Sequence, residues 1–68
     1  MKITEMQFII LACIHEYIYE NDKTPTIRDI AYDLEKSTST IYYHLKKMKE
    51  EGIVNFNEKG RITTICQN

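Results

Sequence analysis

The stretch Ser37 to Gly52, STSTIYYHLKKMKEEG, constrains the chain most, because only a helix gathers its apolar residues on one face. With Ile41 at the origin and a step of about 100° per residue, Leu45 falls at about 40° and Met48 at about 340°. Ser39, Tyr43 and Lys46 lie roughly opposite, at about 160°, 200° and 140°. Ser37 is a good N-cap and Gly52 a good residue just past a C-terminus, so the pattern predicts a helix over 38–51. Its polar side begins with small hydroxyls (Thr38, Ser39, Thr40) and continues with two phenols and the cluster Lys46, Lys47, Lys49. That order fits an element that enters a nucleic-acid groove by its N-terminus and holds phosphates further along. It fits an amphipathic surface helix with a solvated lysine run equally well.

The residues before this helix predict two more. Ile3-Thr4-Glu5-Met6-Gln7-Phe8 carries a capping box between Thr4 and Gln7, with Ile3 and Phe8 placed for a hydrophobic staple. A first helix over about 5–20 follows, with Phe8, Ile10, Leu11, Ile14 and Ile18 expected inward and Glu16, Tyr19 and Glu20 outward. Asn21 to Pro25 is a turn cluster, and proline biases the residue before it away from helix. Thr26 then caps a second helix over 27–34, with Asp29 where its charge suits the helix dipole. Ile27, Ile30, Ala31 and Leu34 form its buried face. Only Glu35, Lys36 and Ser37 separate it from the third helix, and so short a link forces a steep crossing, the helix-turn-helix arrangement.

After Gly52 the period changes. Ile53 to Phe56 and Arg61 to Cys66, joined by Asn57-Glu58-Lys59-Gly60, read as a β-hairpin over about 53–66. The expected fold is mainly α: a three-helix winged helix-turn-helix with a C-terminal β-hairpin wing, forming a single domain over 1–68. Lys59 and Arg61 stand at the wing's tip.

At 68 residues the chain can bury one modest core, and a large substrate pocket is not expected. The formal net charge is -1, which argues against coating nucleic acid by bulk electrostatics. The charge is unevenly placed, however. Residues 1–35 carry three basic and seven acidic groups, net -4, and residues 36–68 six basic and three acidic, net +3. The apolar run Phe8 to Ile14 is too short to span a bilayer and lacks the flanks of a signal peptide, so a cytoplasmic protein is expected. Cys13 and Cys66 are too few for a disulfide framework and read as ordinary thiols. No metal site, cofactor or catalytic constellation stands out, so an enzyme is not expected.

PTIRDIAYDLEKSTSTIYYHLKKMKEEGIV resembles the helix-turn-helix of bacterial winged-helix regulators, and the opening ITEMQ, with its spacing to PTIRDIA, is most similar to the DNA-binding domain of LexA-type repressors. The resemblance covers roughly residues 3–65. It implies a sequence-specific double-stranded DNA-binding transcription regulator, a small repressor from a bacterium, phage or other mobile element, with the third helix in the major groove. By position, the base-reading residues are Thr38, Ser39, Tyr42, Tyr43 and Lys46, and the phosphate contacts Thr40, Lys47, Lys49, Lys59 and Arg61. His44, near the buried seam, is read as a packing residue. The chain departs from the pattern at Glu35, where the family usually has glycine, and at Lys36, often apolar. This predicts either a strained backbone conformation on Glu35 or a turn that differs in detail. The self-cleaving serine/lysine peptidase domain of LexA-type repressors has no counterpart in these 68 residues, so neither autoproteolysis nor that domain's dimer is expected. A single module buries only about 600–1,000 Å² on DNA, so a homodimer or paired monomers on a palindromic site are expected. The alternative is a protein-binding adaptor on the same fold, with the acidic first helix as its working surface.

Overall fold

The computed structural model describes residues 3–65. Three helices, α1 (Glu5–Asn21), α2 (Ile27–Leu34) and α3 (Thr38–Glu50), precede an antiparallel hairpin of β1 (Val54–Phe56) and β2 (Ile62–Ile65), a mainly helical winged-helix architecture. The expected hairpin reaches Cys66, which lies outside the described residues.

Each helix begins where a side chain satisfies amides that have no partner within the helix. The Gln7 amide donates to Thr4 Oγ1 at 3.1 Å while the Thr4 amide donates to Gln7 Oε1 at 3.2 Å. Thr26 and Asp29 form the same reciprocal box on α2, at 3.2 and 3.0 Å. On α3 the Thr40 amide donates to Ser37 Oγ at 3.2 Å.

The two helices of the helix-turn-helix end alike. After α3 the Ile53 amide reaches back to the Met48 carbonyl at 2.9 Å and the Gly52 amide to Lys49 at 3.1 Å, with Gly52 at φ 76°. After α2 the Lys36 amide bonds the Ala31 carbonyl at 2.9 Å and the Glu35 amide that of Tyr32 at 3.2 Å. This is the Schellman pattern, which needs one left-handed residue. Glu35 supplies it at φ 55° and ψ 45°, the first of the two arrangements its position allows. The turn therefore keeps its geometry without glycine, at a cost of about 1–2 kcal/mol.

One core joins all elements. Ile10 and Ile14 of α1, Ile30 and Ala31 of α2, and Ile41, Leu45 and Met48 of α3 are buried together with Ile53, Val54 and Ile62, while Leu11, Ile18 and Leu34 pack against them half-buried. The expected inward placement of Phe8 is corrected: its side chain is 63% exposed, and Ile3 is 41% exposed, so no buried staple forms. The line that faces the core is Gln7–Ile10–Ile14, and Phe8 lies about 160° from Ile10 around the helix. Gln7 is only 4% exposed. Its amide oxygen is satisfied by Thr4, which removes most of the cost of burying it.

The wing is tied to the start of α2. The Ile27 amide donates to the Gly60 carbonyl at 2.8 Å and the Ile62 amide to the Pro25 carbonyl at 3.0 Å, around a bridge between Thr26 and Arg61. In the turn, Asn57 Oδ1 accepts from the amides of both Lys59 and Arg61 at 3.0 Å. Gly60 has φ 81°, and a Cβ there would come within 3.4 Å of Ile27 Cδ1. The left-handed backbone calls for glycine, whereas the Ile27 side chain would meet a Cβ only at ordinary contact distance. Asn55 pairs with Thr64 but Phe56 with Ile62, so Thr63 is an extra residue in β2. The bulge keeps Ile62 buried in the core.

Candidate nucleic-acid interface

Burial of Ile41, Leu45 and Met48 turns the rest of α3 outward: Thr38, Ser39, Thr40, Tyr42, Tyr43, Lys46, Lys47 and Lys49 are all exposed. At its start, Ser37 Oγ donates to Thr40 Oγ1 at 2.9 Å, which leaves the Thr40 hydroxyl proton free to donate outward. Thr38, Ser39 and Tyr42 line a hollow of about 410 Å³ against Ile27 of α2.

That hollow shares Ile27 and Tyr42 with a larger groove of about 1220 Å³, bounded by the beginning of α2, the wing turn and the second half of α3. A continuous exposed surface thus runs from the hydroxyl-rich start of α3 to the wing. Five cationic side chains line the larger groove, Lys23, Arg28, Lys49, Lys59 and Arg61, against two carboxylates, Asp29 and Glu58. The Asp29 carboxyl is held below the usual carboxylate range, chiefly by the Thr26 amide that donates to it, with Tyr17 and Arg61 adding to the effect. Its charge is thereby turned toward the cap of α2.

Among the sequence-derived site residues, the structure gathers Thr38, Ser39, Tyr42, Lys49, Lys59 and Arg61 along these two hollows. Tyr43, Lys46 and Lys47 lie outside them, on the outward face of α3. The Lys47 ammonium stands 5.6 Å from the Tyr43 ring centroid, and the half-buried His44 ring lies steeply inclined to the same ring with centroids 5.4 Å apart. Arg61 has a second task. It is half-buried, and a guanidinium nitrogen donates to the Thr24 carbonyl, fastening the wing root to the segment before α2.

Three participants escaped the sequence reading. Arg28 stands in the first turn of α2, where a cation works against the helix dipole, so helix stability does not account for it. Its position about 160° from Ile30 was a usable signal. Lys23, in the turn cluster, and Phe56, in β1, reach the groove only through the packing of the wing on α2 and α3, and neither had a local signal.

Residues 21–55, just over half of the chain, match the model of the bacterial regulatory protein family arsR, from the end of α1 through the helix-turn-helix into β1. The chain belongs to the arsR family of bacterial regulatory proteins. This arsR-family chain is also similar to the LexA repressor of Acetivibrio thermocellus, 37% identical over 54 residues, which are 78% of this chain and 25% of that repressor. It therefore spans about a quarter of that relative's length. Among the described residues of the arsR-family chain, no group of three or more His, Cys, Asp or Glu could hold a metal ion, and no helix is long and apolar enough to cross a membrane.

Proposed function

We propose that this chain is a sequence-specific regulator of transcription that binds double-stranded DNA, with the N-terminal half of α3 in the major groove and the wing on the flanking backbone. The observation that carries this reading is the surface running from Thr38 and Ser39 through Tyr42 to Lys49, Arg28 and Lys59: hydroxyls and phenols at one end, cations at the other, in a chain of formal net charge -1. Small hydroxyl side chains let a helix end approach base edges closely, and cations placed around it position the backbone.

Thr38, Ser39, Tyr42, Tyr43 and Lys46 are the proposed base-edge contacts. Thr40, Lys47, Lys49, Lys59 and Arg61 are the proposed phosphate contacts, joined by Arg28. Arg61 keeps N–H groups beyond the one on Thr24, so its structural tie is compatible with a phosphate. The reading needs no cofactor and no reaction. Kinship with regulators and the likeness to a repressor favour repression from a cytoplasmic, bacterial or phage protein, acting as a pair on a palindrome with half-sites spaced by about 10 bp or a multiple.

A gel shift with random genomic fragments at low salt, followed by selection of bound sites from a random duplex pool, tests the reading. Retention of duplexes and enrichment of one inverted-repeat sequence is the expected result. No retention of any duplex at low salt would overturn it.

A further inference from the structure

One face of α1, which shares no lining residue with the proposed DNA surface, is apolar and acidic together. Between α1 and α2 lies a shallow groove of about 490 Å³, with Ile9, Ala12 and Leu34 as its apolar lining and Glu16, Glu20 and Asp33 as its charged lining. No cation is among its lining residues. Ile9 is 39% exposed, and beside it Phe8 is 63% exposed. Cys13 lies at the base, its thiol 3.9 Å from Asp33 Oδ2. Burial first, then the same Asp33 and Glu16 carboxylates, push that thiol up to about 11, so it stays neutral at the base of the groove.

We propose that this groove is a docking site for a basic amphipathic helix of a partner protein, about three turns long, with apolar residues at i, i+3 or i+4, and i+7 and lysines or arginines on its flanks. The groove is walled by two helices, so its shape suits a third helix laid along it. The lining from Ile9 to Glu20 runs roughly 16 Å along α1 at 1.5 Å per residue, which sets the length. The charge sets the chemistry and decides among occupants. A second copy on a two-fold axis would place this all-acidic patch against itself, because such an interface uses the same surface twice. Nucleic acid is repelled by the same carboxylates. A helix carrying lysine or arginine beside its apolar ridge satisfies both halves of the surface. This site stands independently of the DNA reading, since it shares no residue with the α3 and wing surface.

The test uses a fluorescent 14-residue helical peptide of leucine and lysine with that spacing, titrated into the full chain by anisotropy and mapped by backbone amide shifts. Saturable binding is expected, with shifts at Ile9, Ala12, Glu16, Asp33 and Leu34. The double charge reversal Glu16→Lys, Glu20→Lys should weaken it at least tenfold while leaving duplex retention intact, and Glu50→Lys, Glu51→Lys at the end of α3 should leave peptide affinity within about twofold. Absence of binding, shifts centred on α3 or the wing, equal binding of a leucine-glutamate peptide, or indifference to reversal at Glu16 and Glu20 would each overturn the proposal. So would sedimentation as a dimer that Ile9→Lys dissociates, since a second copy would then occupy the groove.

Discussion

The ring of Phe56 in the wing meets that of Tyr42 in α3 edge to face, with centroids 5.9 Å apart, and the Lys49 ammonium lies 4.9 Å from the Phe56 centroid. The contact couples the hairpin to the proposed reading helix and holds a lysine between them. Replacing Phe56 by Leu keeps an apolar group but removes the aromatic geometry, so stability should fall by about 1 kcal/mol. Affinity for all duplexes should fall, because the change frees Lys49, and the selected duplex should lose somewhat more than the random one, because Tyr42 loses the ring that packs on it. Thermal melts and binding to selected and random duplexes check both parts.

Leu45 sits fully buried at the centre of the α3 seam. Leu45→Ala should cost on the order of 2–5 kcal/mol, a large share of the stability of so small a fold. Urea denaturation reads this directly, and an unchanged midpoint would show that the seam is not the core.

Glu35 holds its left-handed backbone at φ 55° without the freedom of glycine. Glu35→Gly should therefore raise stability by about 0.5–1 kcal/mol, less than the full strain because glycine also gains entropy in the unfolded chain. The helix-turn-helix geometry should not change, so the DNA affinity of the variant should match the parent. A lower melting temperature would contradict the strain assigned to this turn.

Asp29 completes the capping box of α2, its carboxylate accepting from the amide of the N-cap Thr26, and its folded-state value is depressed. A depressed carboxyl contributes stability above its unfolded value, and that contribution drains as pH falls through the folded value. Asp29→Ala should cost about 1 kcal/mol near neutral pH. The stability curves of parent and variant should converge in acid, below the ordinary aspartate range. Parallel curves down to low pH would mean that the carboxylate charge is not what caps the helix.

What could be read from the residues was what local chemistry decides. Thr4, Thr26 and Ser37 announce their helices because a cap involves only residues three apart, whereas Glu35 stands out only through the resemblance, as the residue in a place where that family usually has glycine. Phe8 is misplaced because the run Phe8 to Ile14 is apolar throughout, so a period of 3.6 selects no single line. The capping bond of Gln7 lets that residue take the inward place instead. The candidate surface divides the same way. The exposure of Ser39, Tyr43 and Lys46 follows from the seam opposite them. Arg28, Lys23 and Phe56 enter through the pairing of residues 25–27 with the wing, a contact between short segments too brief for any alternating pattern.

The central claim, that α3 reads sequence while the wing and the lysines hold phosphates, is tested most directly by the ratio of binding to a selected duplex over a random one, measured across salt for Ser39→Ala, Tyr43→Ala, Lys46→Ala, Lys47→Ala and Lys59→Ala. The first three should lose about 1–3 kcal/mol on the selected duplex and much less on the random one, lowering the ratio. Lys47→Ala and Lys59→Ala should weaken both duplexes alike and flatten the slope of log K against log salt by roughly 0.9 each, keeping the ratio. A ratio unmoved by Ser39→Ala, Tyr43→Ala and Lys46→Ala would show that α3 is not the reader.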